Sequence, residues 1–109
     1  MKWLEITPDL LPEFNQIRRA KIDGKSVCLV NNEGELHATS LRCPHAGAHL
    51  SSGWCENNKL ICPFHRHAFD LKTGKGDPGQ GNFIRIFPIK EENNKFYIGF
   101  KDNWFKRLF

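Results

Sequence analysis

The chain has 109 residues, which is room for one domain with a buried core and not for a second catalytic domain, so 1–109 is expected to be a single unit. Sixteen Lys and Arg against twelve Asp and Glu leave a formal net charge of +4, scattered rather than blocked; this reads first as a solvated surface and second as a docking face for an acidic partner protein. No basic run or recognition motif points to nucleic acid, and no window approaches the eighteen or more apolar residues that span a bilayer.

In chain order, the start Met1-Lys2-Trp3-Leu4-Glu5-Ile6-Thr7-Pro8-Asp9 breaks any export-signal apolar stretch at Glu5, Pro8 and Asp9, so a cytoplasmic chain is expected. Lys2 to Ile6 predicts a short strand, and Asp9 to Phe14 one helical turn limited by Pro12. Gln16 to Ile22 and Ser26 to Asn31 flank Asp23-Gly24, a strong hairpin signal. A turn with Gly34 leads to a strand over Glu35 to Ser40. Lys59 to Ile61 and Ala68 to Leu71 are short strands, the latter ending at Thr73-Gly74. Asn82 to Ile89 and Lys95 to Phe100 predict a last hairpin across Glu91 to Asn94. Many short strands with turn chemistry between them argue for an all-β antiparallel sandwich or small barrel.

Between these strands lies the stretch that carries chemistry, Cys43-Pro44-His45 and, after residues 46–61, Cys62-Pro63-Phe64-His65. Each end offers one thiol and one imidazole within a single tight loop, and each cysteine precedes a proline that stiffens the turn. A mixed Cys₂His₂ metal site follows. Zinc accepts that donor set in structural sites, but the zinc finger groups its cysteines in one knuckle and its histidines on a helix. Mixed halves on a β scaffold suit a [2Fe-2S] cluster with cysteines on one iron and histidines on the other.

At these residues the chain resembles the Rieske family. Cys43-Pro44-His45-Ala46-Gly47-Ala48-His49-Leu50 is similar to the family's first cluster loop, and Cys62-Pro63-Phe64-His65 with Ala68-Phe69-Asp70-Leu71-Lys72-Thr73-Gly74 to the second. The resemblance spans essentially the whole chain. It implies three small antiparallel sheets with two cluster-binding loops at one tip, Cys43 and Cys62 on one iron, and His45 and His65 on the other.

Departures from the family pattern refine this expectation. Ala48 and Phe64 stand where the high-potential members have a disulfide, which therefore cannot form here. His67 and Phe69 stand where those members aim serine and tyrosine hydroxyls at the cluster. Fewer donors to sulfur imply a potential toward the lower part of the Rieske range of roughly −150 to +300 mV. A ring N–H of His67, or the cation at Arg66 where glycine is common in relatives, would push it up.

Other residues carry quieter expectations. Gly74-Lys75-Gly76-Asp77-Pro78-Gly79 matches G-x-G-x-x-G, but no strand–helix unit surrounds it, so it is read as a loop folding over the cluster region. Cys28 reads as a small buried hydrophobe and Cys55 as a structural thiol rather than a fifth ligand, with a Cys28–Cys55 disulfide disfavoured in a reducing cytoplasm. His49 and His67 neighbour the ligand loops, His37 reads as a strand-surface residue, and Trp104 to Phe109 as an aromatic, basic end that packs back onto the sheet.

The resemblance implies an electron-transfer component, not an enzyme by itself. It would be a ferredoxin passing single electrons from a flavin reductase to a terminal oxygenase. The alternatives are the small subunit of a larger reductase, resembling the nitrite reductase small subunit, which would dock on a large subunit, and a structural zinc module.

Overall fold

A computed structural model describes residues 1–43, 49–63, 66–77 and 82–101. Ten strands make three antiparallel sheets among these residues. The strands are β1 (Lys2–Ile6), β2 (Ile17–Ile22), β3 (Lys25–Asn32), β4 (Glu35–Ser40), β5 (Trp54–Glu56), β6 (Lys59–Ile61), β7 (Ala68–Asp70), β8 (Ile86–Phe87), β9 (Ile89–Glu92) and β10 (Lys95–Phe100). The sheet orders are β1-β10-β9, β2-β3-β4-β8 and β5-β6-β7, which is the expected all-β architecture.

Four hairpins are set by two-residue turns whose central residues both have positive φ, the geometry that matches strand twist. They are Asp23-Gly24, Glu33-Gly34, Asn57-Asn58 and Asn93-Asn94. The flanking pairs Ile22↔Lys25, Asn32↔Glu35, Glu56↔Lys59 and Glu92↔Lys95 fix the register of each. Glu33 is the costly member, since unlike Gly, Asn and Asp it is rarely found in left-handed backbone. Its turn is tied down by Glu33 N–H donating to Asn15 Oδ1 at 2.7 Å and Gly34 N–H to Asn31 Oδ1 at 2.8 Å.

Strand β3 reads Val27-Cys28-Leu29-Val30 and is buried on both faces. Val27 and Leu29 join Ile6, Ala20, Ile22, Ala38, Phe87, Ile98 and Phe100 in one core, where Phe87 meets Phe100 edge to face at 5.0 Å. Cys28 and Val30 join Cys43, Leu50, Leu60, Cys62, Phe69, Leu71 and Ile84 in a second core. The period of two along a strand sends alternate residues to opposite cores. The second core is the floor on which both cysteine loops stand.

Three expectations are corrected. The helical turn over 9–14 is a single 3₁₀ turn at Pro8–Leu10, since Pro12 lacks the N–H that a longer helix would need. The run 82–89 is not one strand. Phe83 bridges Lys75, β8 pairs with β4, and after Pro88 the chain passes as β9 to β10 in another sheet. Proline cannot donate to a ladder, and its carbonyl instead accepts Gly99 N–H at 2.9 Å. Strand β5 was not expected. Its three residues are too few to show an alternation, and the Asn57-Asn58 turn was the available signal. No helix among the described residues is long and apolar enough to cross a membrane.

The segment after β7 is built on Asp70 and Gly74. Asp70 Oδ1 accepts Lys72 N–H at 2.7 Å and Thr73 N–H at 3.0 Å. Those bonds, Thr73's first and Lys72's second, hold the Asp70 carboxyl below its ordinary pKa. Gly74, at φ +80, donates to Asp70 O and accepts from Ile84 N–H, both at 2.8 Å, so closely that a Cβ would collide with the Ile84 carbonyl. The G-x-G-x-x-G glycine thus serves a backbone-to-backbone approach; Pro78 and Gly79 lie outside the described residues.

Two tests follow from this segment. Gly74→Ala should destabilise the cluster-loaded protein by about 2–4 kcal/mol in denaturant melts. Gly24→Ala, where the added Cβ meets nothing within 4 Å, should cost only about 1 kcal/mol for its positive φ; equal losses would refute the Ile84 clash. Because the folded pKa of Asp70 is depressed, its stabilisation is complete above the unfolded pKa of about 3.9 and is lost as pH falls through the folded value. Melting temperature measured from pH 6 down to 2 should therefore drop less steeply in Asp70→Asn than in the parent.

Candidate metal centre

Each cysteine of the expected ligand set stands at the foot of a loop. The first loop leaves β4 through Leu41 and returns at Leu50, whose N–H donates to Leu41 O at 2.6 Å, with Arg42 bridged to His49 between them. Cys43 stands just inside that closure, 1% exposed. The second loop leaves β6 and returns on β7, through the pair Ile61↔Ala68 and then Cys62 N–H donating to His67 O at 2.8 Å. Cys62 is fully buried. Both thiols belong to the same apolar core, with Leu50, Leu60 and Phe69.

His45 and His65 lie outside the described residues, as do Ala46, Gly47, Ala48 and Phe64. The donor chemistry that is described fits an iron–sulfur cluster. Two soft sulfur donors at the feet of two pinched loops share one dry floor, where a lone thiolate would be costly and a thiolate bound to ferric iron would not. All four cysteines are free thiols, so none is consumed by a disulfide.

Phe69 is buried in this core, so the position carries no donor toward sulfur. His67 is half-buried and gives its carbonyl to the loop closure. Arg66 has left-handed backbone at φ +53, which explains why glycine suits the position. Its guanidinium lies 5.3 Å over the Trp54 ring, with Nη2 3.8 Å from Glu56 Oε2. Glu56 offsets the positive charge that the sequence placed beside the second loop.

The remaining candidates fall into place around the floor. His37, on β4, is half-buried rather than fully exposed. Its side chain is 11% exposed, with Nε2 2.9 Å from Glu35 Oε1. His49 is half-buried and opens the 3₁₀ turn at Leu50–Ser52. Cys28 is fully buried, and burial pushes its thiol up to about 12, despite an opposing hydrogen bond with Thr39 and with a further push from Cys55. Cys55, half-buried on β5, is also raised by burial. Trp104 to Phe109 lies outside the described residues.

The family model for the Rieske [2Fe-2S] domain matches residues 4–86. The ferredoxin component of the naphthalene 1,2-dioxygenase system of Pseudomonas putida is 34% identical over 102 residues, covering 90% of this chain and 95% of that protein. The ferredoxin of carbazole 1,9a-dioxygenase from Nocardioides aromaticivorans IC177 shares the fold, with a TM-score of 0.76 at 24% identity over 90% of this chain and 96% of that one. A Mycobacterium tuberculosis protein described as an NADH-dependent nitrite reductase small subunit also shares it, with a TM-score of 0.74 at 20% identity over 89% and 93%.

The two non-ligand thiols give a direct check on the floor. At pH 8 a thiol of pKa about 12 is ionised to about one part in 10⁴. In the cluster-loaded protein iodoacetamide should alkylate Cys55 slowly and leave Cys28 untouched until the chain unfolds. Rapid native labelling of Cys28, read by mass spectrometry, would contradict its burial.

Proposed function

The chain belongs to the Rieske [2Fe-2S] family, and from that premise we propose that it is a one-electron carrier, a ferredoxin that takes electrons from a flavin reductase and delivers them to a terminal oxygenase. The observation that carries the reading is the pair of buried thiols, Cys43 and Cys62, on one apolar floor at the feet of two closed loops. The 34% identity to a dioxygenase-system ferredoxin over nearly its whole length supports the same role.

In this reading Cys43 and Cys62 hold one iron through Sγ, and His45 and His65 hold the other through ring nitrogens. The cluster supplies one reversibly held electron. The protein's part is placement and environment. The Leu41–Leu50 and Cys62–His67 closures fix where the two sulfurs stand. Leu50, Leu60 and Phe69 keep water from them. With no donor at Phe69, the reduced state gains less hydrogen bonding, which favours a potential in the lower part of the family range. The far nitrogen of each ligand histidine would carry a proton whose affinity would track the charge of the iron held by the other nitrogen.

A single domain over 1–109 working in the cytoplasm completes the proposal. The subunit alternative rests on a likeness of fold alone, and a zinc module would not explain the family match over residues 4–86.

Anaerobic reconstitution should yield a red-brown protein with two irons and two sulfides and a rhombic EPR signal on reduction. Cys43→Ser or His65→Ala should abolish the visible absorbance together with electron transfer, whereas His49→Ala should retain both. Bound zinc without inorganic sulfide would sink the reading.

A further inference from the structure

We propose that Arg66 is the cation with which this chain receives an acidic redox partner, and that Glu56 is an internal carboxylate that occupies the partner's place beforehand. The proposal rests on the electron-carrier reading and adds the chemistry of the surface that meets it. Arg66 directly follows His65, and its side chain is 71% exposed. The guanidinium is aimed by the Trp54 ring beneath it, 5.3 Å from Cζ to the centroid. Trp54 is itself fixed to the second loop, because it pairs with Ile61, the residue before Cys62.

Glu56 holds Arg66 only loosely. Its Oε2 accepts Trp54 Nε1–H at 3.0 Å, and the same oxygen lies 3.8 Å from Arg66 Nη2. That second distance is a charge contact, too long for a hydrogen bond. A guanidinium fork is shaped for two parallel bonds to one carboxylate, and Glu56 supplies neither. An incoming carboxylate can make both, while Glu56 keeps the indole N–H and remains half in water. The exchange therefore leaves no group stranded, and the newcomer lands one residue from a candidate iron ligand. Arg42, exposed and adjacent in sequence to Cys43, puts a second cation at the foot of the first loop.

Stopped-flow oxidation of the reduced, cluster-loaded protein by two inorganic oxidants tests this. Each takes one electron from the protein: hexacyanoferrate(III), a trianion, becomes hexacyanoferrate(II), and tris(phenanthroline)cobalt(III), a trication, becomes the cobalt(II) complex. At an ionic strength near 10 mM, Arg66→Gln should slow the anion about fivefold and speed the cation. Glu56→Gln should do the reverse, Arg66→Lys should leave both near the parent rates, and added salt should shrink every difference. A merely altered potential would move both oxidants in the same direction, so shifts of one sign overturn the proposal, as do unchanged rates. If Arg66→Gln fails to hold its cluster, Glu56→Gln decides alone: a faster anion supports the exchange and an unchanged one refutes it. A parent protein without the cluster spectrum would sink the carrier reading itself.

Discussion

Burial of β3 on both faces is the constraint on which the rest depends. Val27 and Leu29 enter the core between the first two sheets, and Cys28 and Val30 enter the floor beneath the cysteine loops. Burying a side chain of the Val or Leu kind contributes about 1.5–3 kcal/mol. The four together approach the net stability of a typical small domain, about 5–15 kcal/mol. A slip of one residue would exchange the two sets and spoil both cores at once. The turns at Asp23-Gly24 and Glu33-Gly34 prevent that slip by fixing β3 at both ends.

From β3 the order passes outward to the site. Its partner β4 runs straight into Leu41 and Cys43, and Leu50 returns to close that loop on Leu41, its side chain in the same core as Val30 and Leu60. The β5-β6-β7 sheet brings Cys62 to the same floor, where Phe69 on β7, paired with Leu60, is also buried. Two loops distant in sequence thus share one foundation. Each cysteine stands at a backbone hydrogen bond at the foot of its loop, Cys43 beside the Leu50 N–H to Leu41 O bond and Cys62 through its own N–H to His67 O.

Much of this was legible beforehand where local chemistry acts alone. Asp23-Gly24 announces its hairpin because glycine and aspartate tolerate the left-handed backbone that the turn requires. The Cys43-Pro44-His45 and Cys62-Pro63-Phe64-His65 spacings announce a metal site because few other pressures pair those residue types. The run Val27-Cys28-Leu29-Val30 announces a strand but not its two-sided burial, which depends on what lies above and below it. The break at Pro88 was hidden because Ile86-Phe87 and Ile89 look alike in sequence while pairing with different sheets. The role of Arg66 was hidden for a similar reason. Its charge is visible in the sequence, but its pairing with Trp54 and Glu56 is created by the β5–β6 hairpin, whose first strand is three residues long.

The two buried thiols also bear on how such a floor can form at all. A protonated cysteine packs as a small hydrophobe, so Cys43 and Cys62 can join Leu50, Leu60 and Phe69 without placing charge in the core. In the proposed ligand set, donation to iron would require each thiol to lose its proton, and the charge that remains would be matched by the metal rather than by a protein cation. No arginine or lysine needs to enter the floor; among the described residues the buried cation is Lys25, and it donates to Asp23 O at the β2–β3 turn. The cations are left at the loop feet, on Arg42 and Arg66, where they are exposed to solvent. The chain thereby separates two tasks that conflict in a small domain: a dry, uncharged seat for sulfur, and a charged rim that a partner can read.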